Sequence, residues 1–343
     1  MKTNTTLAVI VSAFAGCFAA SNGTGSPVNK EFQPQSPNDL VAGEVMAVAY
    51  SGFREGQHPD RGNGAVNPSA DEILEDLQLL VAHDFKLIRL YDSGANSALT
   101  LELIRQHELP IKVLLGIWLA AEISNHEGCP WLDEPIPEET LAANALENAA
   151  EVQRGIELAQ QFEEIVVALN VGNEALVDWN DHMVSIDKVI TYVRRVKSAV
   201  EQPVTVAENY VWWTRDGTAL AAEVDFIGVH TYPAWEEKTI DEALAYTIEN
   251  LQGVRAALPD KPLAILEAGW ATVAIEFGER ANEADQERYY LELQEWASAK
   301  NVTVFFFEAF DEPWKGDPDS PLGAEKHWGL FNVDRTPKQV LQR

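Results

Sequence analysis

Two glutamates each stand directly after an apolar, strand-like run. Glu174 closes Ile165-Val166-Val167-Ala168-Leu169-Asn170-Val171-Gly172-Asn173, and Glu267 follows Leu263-Ala264-Ile265-Leu266. A carboxylate at such a place is costly to remove from water unless a partner offsets the loss or a reaction uses it. One such residue alone reads as a helix cap or half of a salt bridge. Two that face each other suit acid/base work, in which a carboxyl with a raised pKa protonates a departing oxygen while an ionised one attacks an anomeric carbon or activates water.

Other chemistries find little support. His58, His83, His107, His126, His182, His230 and His327 are scattered without a spacing that gathers metal ligands on one element. Neither a phosphate loop nor a Gly-Xaa-Ser-Xaa-Gly elbow occurs. Cys129 has no evident basic neighbour to activate it and reads as a packing thiol. Neither a metal nor a cofactor is expected.

The elements that must position the two glutamates follow one pattern. From residue 44, short β-rich runs alternate with helical patterns, the signature of βα units and a parallel sheet. Eight runs occur, over residues 45–50, 86–91, 111–117, 165–171, 204–209, 226–230, 263–266 and 302–307. Eight strands close a (β/α)8 TIM barrel, in which catalytic side chains come from the carboxyl ends of strands. Glu174 and Glu267 would then follow the fourth and seventh strands. Ser69 with Glu72, and Thr239 with Glu242, form capping boxes ahead of apolar stripes. Val189, Tyr192, Val193, Val196 and Val200 make another helical stripe, and a long helix is expected over 138–162 after an irregular loop around Gly128-Cys129-Pro130-Trp131. There is no sign of an internal repeat or a second domain.

Of 343 residues, 46% are hydrophobic and 23% charged, enough apolar material for a full core. Lys+Arg number 25 against Asp+Glu 54, a formal charge of -29, which argues against a nucleic-acid partner and describes a solvated acidic surface. Two cysteines cannot build a disulfide framework. After Met1-Lys2-Thr3, the stretch from Leu7 to Ala20 is too short to span a membrane and suits a signal-peptide core over residues 1–20. Phe14-Ala15-Gly16-Cys17 resembles a bacterial lipobox, while Ala13-Phe14-Ala15 also suits ordinary signal peptidase; the reading favours a lipid anchor on Cys17 over free secretion. Residues 21–40, rich in Ser, Asn, Gly and Pro, read as a flexible tether, leaving 41–343 as the catalytic domain of a monomer on the cell surface, in the periplasm or outside the cell.

Beyond these features, the strand-end residues occur as an ordered set. Asn173-Glu174, His230-Thr231-Tyr232-Pro233, Glu267-Ala268-Gly269-Trp270 and Phe310-Asp311-Glu312-Pro313-Trp314-Lys315 follow strands four, six, seven and eight. With Tyr50-Ser51-Gly52-Phe53-Arg54-Glu55-Gly56-Gln57 and Glu325-Lys326-His327-Trp328-Gly329-Leu330-Phe331, the chain from about residue 44 to its end resembles glycoside hydrolase family 17, the β-1,3-glucanases of the retaining (β/α)8 clan. The resemblance implies that Glu174 is the general acid/base and Glu267 the nucleophile of a double displacement on β-1,3-glucan. Asn173 would hold the sugar 2-hydroxyl and Tyr232 would keep the nucleophile ionised. Tyr91, Trp270, Trp328 and Phe331 would contact sugar, and Glu312 with Lys315 would orient the site; whether Glu308 or Glu312 lies nearer the sugar stays open. Trp212, Trp213, Trp235 and Trp314 are read as loop packing. Ala271 stands where plant members have Pro, and the stretch from Gly128 to Pro137 does not align, so endo, exo and transglycosylase action all stay open. An alternative of another class is a glucan-binding surface lipoprotein without catalysis.

Overall fold

The computed structural model describes residues 31–60, 64–130 and 132–342. The signal segment, Cys17 and the tether up to residue 30 lie outside the described residues. Eight parallel strands close into a barrel in sequence order: β1 (Met46–Ala49), β2 (Leu87–Arg89), β3 (Lys112–Ile117), β4 (Val166–Asn173), β5 (Val204–Asn209), β6 (Ile227–His230), β7 (Leu263–Ala268) and β8 (Val304–Phe306), with β8 pairing back onto β1. Each expected run falls on one of these strands, although β4 and β7 run on to Asn173 and Ala268, past the expected ends at 171 and 266. The helices are α1 (Ala70–Ala82), α2 (Ala95–Gln106), α3 (Glu138–Gln161), α4 (Ile186–Lys197), α5 (Tyr210–Asp216), α6 (Thr218–Ala221), α7 (Ile240–Ala257) and α8 (Glu283–Lys300).

The capping boxes form as read. Ser69 Oγ accepts the Glu72 N–H while the Glu72 carboxylate takes the Ser69 N–H, and Glu242 does the same for Thr239. Strand periodicity then divides the core in two. Ala47, Leu87, Leu114, Ala168, Ala207, Ala264 and Phe305 form one apolar cluster and fill the barrel. The larger cluster, including Ile88, Val113, Val206 and Ile265 with Ile73, Leu77 and Val193, lies between strands and helices.

Two strands depart from the regular alternation, and both carry a candidate carboxylate. Against β5, β4 advances from Asn170 to Asn173 while β5 advances only from Thr205 to Ala207. Against β6, β7 advances from Ile265 to Glu267 while β6 moves only from Val229 to His230. An extra residue in one strand re-aims the side chains after it. Glu267 would otherwise share the outward face of Ile265; the bulge turns it towards the barrel mouth.

The proposed tether is shorter than its composition suggests. Phe32 is buried and its ring lies 5.4 Å from that of Trp296. Gln35 Nε2 donates to the Leu263 and Asn301 carbonyls at 2.9 Å, and Pro37–Asp39 form a 3-10 turn. Residues 32–40 therefore dock at the start of β7.

At the other end of the chain, Arg335 binds wholly buried Asp76 of α1 through Nε and Nη2, both at 2.8 Å. Arg54 adds a third bond at 2.8 Å. This knot ties the closing segment and the β1 loop to α1. Asp76→Ala strands the buried Arg335, while Arg54 keeps Glu75 at 2.8 Å, and should lower unfolding free energy by about 3–5 kcal/mol in urea titrations; a loss below about 1 kcal/mol would show that the knot contributes little.

Candidate active site

Arg89, fully buried at the end of β2, is the hub of the barrel mouth. Its Nη1 donates to Glu267 Oε1 at 2.8 Å and to the Leu266 carbonyl at 2.9 Å, while Nη2 donates to Asn173 Oδ1 at 2.5 Å. One guanidinium thus links the ends of β2, β4 and β7. Leu87 and Arg89 share one strand face, so the residue that binds the carboxylate continues the interior row.

Glu267 is 6% exposed. Tyr91 donates to its Oε1 at 3.0 Å, Tyr232 to its Oε2 at 2.7 Å, and His230 Nδ1 lies 3.4 Å from Oε2. Burial acts most strongly and opposes ionisation, but His230, Arg89, Tyr232 and Tyr91 outweigh it and hold the carboxyl below the usual carboxylate range. Burial and the Glu267 charge push both tyrosines up, so their hydroxyls stay protonated as donors.

Glu174 follows β4 with φ 49, in the left-handed region that a non-glycine residue enters at a cost of about 1–3 kcal/mol. Gly172, two residues earlier, has φ 83 and sits in the same bulge. The Glu174 N–H donates to the Ala207 carbonyl at 2.8 Å, and Asn180 Nδ2 reaches its main-chain oxygen at 3.2 Å. The Glu174 side chain is 20% exposed, more open than that of Glu267. Oε1 of Glu174 is 3.0 Å from His230 Nδ1, and Oε2 of Glu267 is 3.4 Å from the same atom; these two oxygens can be no further apart than 6.4 Å, the sum of the two contacts. The carboxyls of a retaining pair stand roughly 5–5.5 Å apart.

The third group comes from the end of β8. Lys315 Nζ meets Glu308 Oε2 at 2.5 Å and Glu312 Oε2 at 2.7 Å, and Ser51 Oγ donates to Glu312 Oε1 at 2.5 Å. Burial opposes the Glu312 charge, but Lys315 and Ser51 outweigh it and hold that carboxyl low. Burial together with the Glu312 charge pushes Glu308 well up despite Lys315. Of the two acids on Lys315, the surroundings favour the charged form of Glu312 over that of Glu308.

The aromatic residues need correction. Trp270 is fully buried, donates to the Arg280 carbonyl at 2.7 Å and packs on Tyr289. Phe331 is fully buried between Phe310 and His83. Trp328 is 1% exposed, with its ring 5.2 Å from that of Tyr232, which it backs. All three, expected at the sugar, are instead folded into the structure. Trp212 and Trp213 are buried as anticipated, and Trp235 packs its ring 4.7 Å from that of Phe277 while staying 43% exposed. Trp118 and Trp179 are exposed as well. Trp118 follows β3 and tilts over His182, whose Nε2 bonds the Asn173 carbonyl at 2.8 Å. Asp92 accepts from Gly94 N–H and Ser97 Oγ and so serves the turn into α2.

Arg89, His230 and Ser51 complete the site without having been singled out for these roles. Arg89 and Glu208 carried a signal, a charge inside an apolar strand in Ile88-Arg89-Leu90 and Val206-Ala207-Glu208.

The geometry has counterparts among known proteins. The family model of the BtgE/BtgC glycoside hydrolase domain matches residues 47–329. A glucan 1,3-beta-glucosidase of Arthroderma benhamiae is 28% identical over 311 residues, covering 86% of this chain and 91% of that one. One from Schizosaccharomyces pombe is 26% identical over 289 residues, covering 79% and 80%. Among solved structures, an endo-laminarinase from Formosa superposes with TM-score 0.75 at 26% identity, covering 90% of this chain and 88% of that one. A glycoside hydrolase family 17 β-1,3-glucanosyltransferase from Rhizomucor miehei gives TM-score 0.67 at 21% identity, covering 89% and 97%, a likeness of fold.

Tyr232→Phe removes one donor from Glu267 without emptying its space. Because the carboxyl is held low, its ionised form survives as pH falls through the ordinary carboxylate range; losing a donor raises its pKa, so the acid limb of kcat/KM should move to higher pH. Activity at the optimum should fall about ten- to a hundredfold, the equivalent of one hydrogen bond to a charged group. An acid limb that stays in place would detach Tyr232 from the ionisation of Glu267.

Proposed function

The chain belongs to the BtgE/BtgC glycoside hydrolase family, and on that premise we propose that it cleaves β-1,3-glucan by double displacement with retention of configuration. The observation that carries this reading is that His230 Nδ1 bonds Glu174 Oε1 at 3.0 Å and lies 3.4 Å from Glu267 Oε2, which holds two unlike carboxyls side by side at the barrel mouth. Glu267, ringed by donors and held ionised, is the nucleophile. Glu174, more open to the cleft, gives its proton to the leaving oxygen and then takes one from the water that releases the glycosyl group.

The remaining residues are assigned from the atoms they present. Arg89 occupies the carbonyl oxygen of the Asn173 side chain, so Nδ2 is the group left to donate to the sugar 2-hydroxyl. The hydroxyl of Tyr91 is shared between nucleophile and sugar, and Glu312 with Lys315 sets the charge at the β8 edge. Trp328 supports Tyr232 from behind. The exposed indoles Trp118, Trp179 and Trp235 offer flat faces to the apolar C–H surface of glucose rings. The names of the relatives support the substrate class. Transfer to a sugar acceptor in place of water uses the same two glutamates and is the second reading, favoured by the likeness of fold to the Rhizomucor miehei glucanosyltransferase. Export, with a lipid on Cys17, is supported by the sequence alone.

Two substitutions separate the roles. Glu267→Ala should reduce turnover of laminarin by about 10⁴-fold or more. Glu174→Ala should do the same to laminarin yet spare formation of the glycosyl-enzyme from an aryl glycoside with a good leaving group, and azide should then yield a β-glycosyl azide. Wild-type turnover by the Glu267 variant, or α-configured first products from the wild type, would overturn the assignment. Products longer than the starting oligosaccharide would select transfer over hydrolysis.

A further inference from the structure

Glu208, on β5, is a buried carboxyl that the double displacement does not use. It is fully buried; Oε1 accepts the Leu176 N–H at 2.9 Å, and Oε2 lies buried with no hydrogen-bond partner. Among the described residues no lysine, arginine or histidine forms an ion pair with it. On the neighbouring elements, Glu174 and His182 follow β4 and His230 ends β6, while the α4 and α5 cations Lys188, Arg194, Lys197 and Arg215 pair with Glu122, Glu223, Asp225 and Asp216, and Arg195 bonds the Ala149 carbonyl and Gln153. A carboxylate in that setting has no counter-ion and lies near another acid, so the group keeps its proton. Burial, then the field of Glu174, push its pKa well above the carboxylate range.

What this neutral acid holds is the chain around Glu174. Ala207 accepts the Glu174 N–H at 2.8 Å, and the next residue, Glu208, takes the N–H of Leu176, two positions beyond. Adjacent residues of β5 thus grip the main chain on either side of the Glu174 side chain, where φ is 49. A left-handed non-glycine residue persists only where its surroundings over-determine it.

We propose that Glu208 is a positioning residue for Glu174, its carboxyl fixing the Leu176 backbone so that the acid/base stays aimed at the leaving-group oxygen. This rests on the reading of Glu174 as the acid/base. Glu208→Ala removes the acceptor and Glu208→Gln keeps it, and each is assayed on a laminari-oligosaccharide and on a dinitrophenyl β-laminaribioside, whose departure needs no acid. The alanine variant should lose about tenfold or more in kcat/KM on the oligosaccharide and less than about threefold on the activated glycoside. Glutamine should rescue the oligosaccharide rate to within about threefold. It should also leave the alkaline limb of the pH profile in place, since it replaces a neutral group by a neutral group. If Glu208 were ionised in the native enzyme, its removal would take a negative charge from beside the acid/base and move that limb to lower pH, overturning the proposal. Equal loss on both substrates in Glu208→Ala, or no loss on either, would overturn it too. Should the alanine variant fail to fold, the limb and the rescue by glutamine decide. A Glu174→Ala control without leaving-group dependence would instead bring down the acid/base reading.

Discussion

Keeping one carboxylate ionised inside a nearly dry barrel mouth is the constraint around which the other polar groups are arranged. Removing a carboxylate from water costs several kcal/mol even after relaxation. The protein offsets that cost with Arg89, two tyrosine hydroxyls and His230, taken from the ends of β2 and β6 and the loops beyond them. Arg89 must then be buried with Glu267, and its second nitrogen is satisfied by Asn173. The same bonds that stabilise the charge therefore also fix the amide that would meet the sugar. The β8 edge solves a similar problem differently: around Lys315, Glu312 is held below the usual carboxylate range and Glu308 pushed above it.

Regular strands could not deliver this arrangement. With a period of two, Glu267 would follow Ile265 outwards, into the layer between strands and helices. One extra residue in β7, and another in β4 before Glu174, turn both side chains into the mouth. The cost is local strain at Glu174, which neighbouring β5 restrains through its own backbone and through Glu208. Catalytic geometry is thereby set by strand ends in a rigid barrel, and the loops beyond them shape the cleft.

Much of this was legible in the chain. The eight strands announced themselves as β-rich runs between helical stripes, and Glu174 and Glu267 stood out because a charge directly after an apolar strand demands a reason. Arg89 and Glu208 carried the same signal but sat within their strands, where sequence does not tell a residue facing the barrel axis from one facing the helices. The bulges were invisible, since nothing in Leu266 or Gly172 by itself states that a neighbouring strand advances by one residue fewer. Trp270, Trp328 and Phe331 were misplaced because an aromatic in a loop looks the same whether the loop folds outward to solvent or inward onto Tyr289, Tyr232 or Phe310. Phe32 and Gln35 lay hidden in a Pro- and Ser-rich stretch whose composition speaks of freedom, although two side chains suffice to dock it.

The account stands on Glu267 acting as a nucleophile and not merely as an electrostatic neighbour of the reacting carbon. Its most direct test is to incubate the wild-type protein with a 2-fluoro β-laminaribiosyl donor bearing an activated leaving group, digest it, and locate the added mass by tandem mass spectrometry. The account predicts a single stoichiometric glycosyl ester on Glu267, formed with loss of activity and released slowly by water. Turnover without an adduct and with inverted product, or an ester on any other carboxyl, would contradict it.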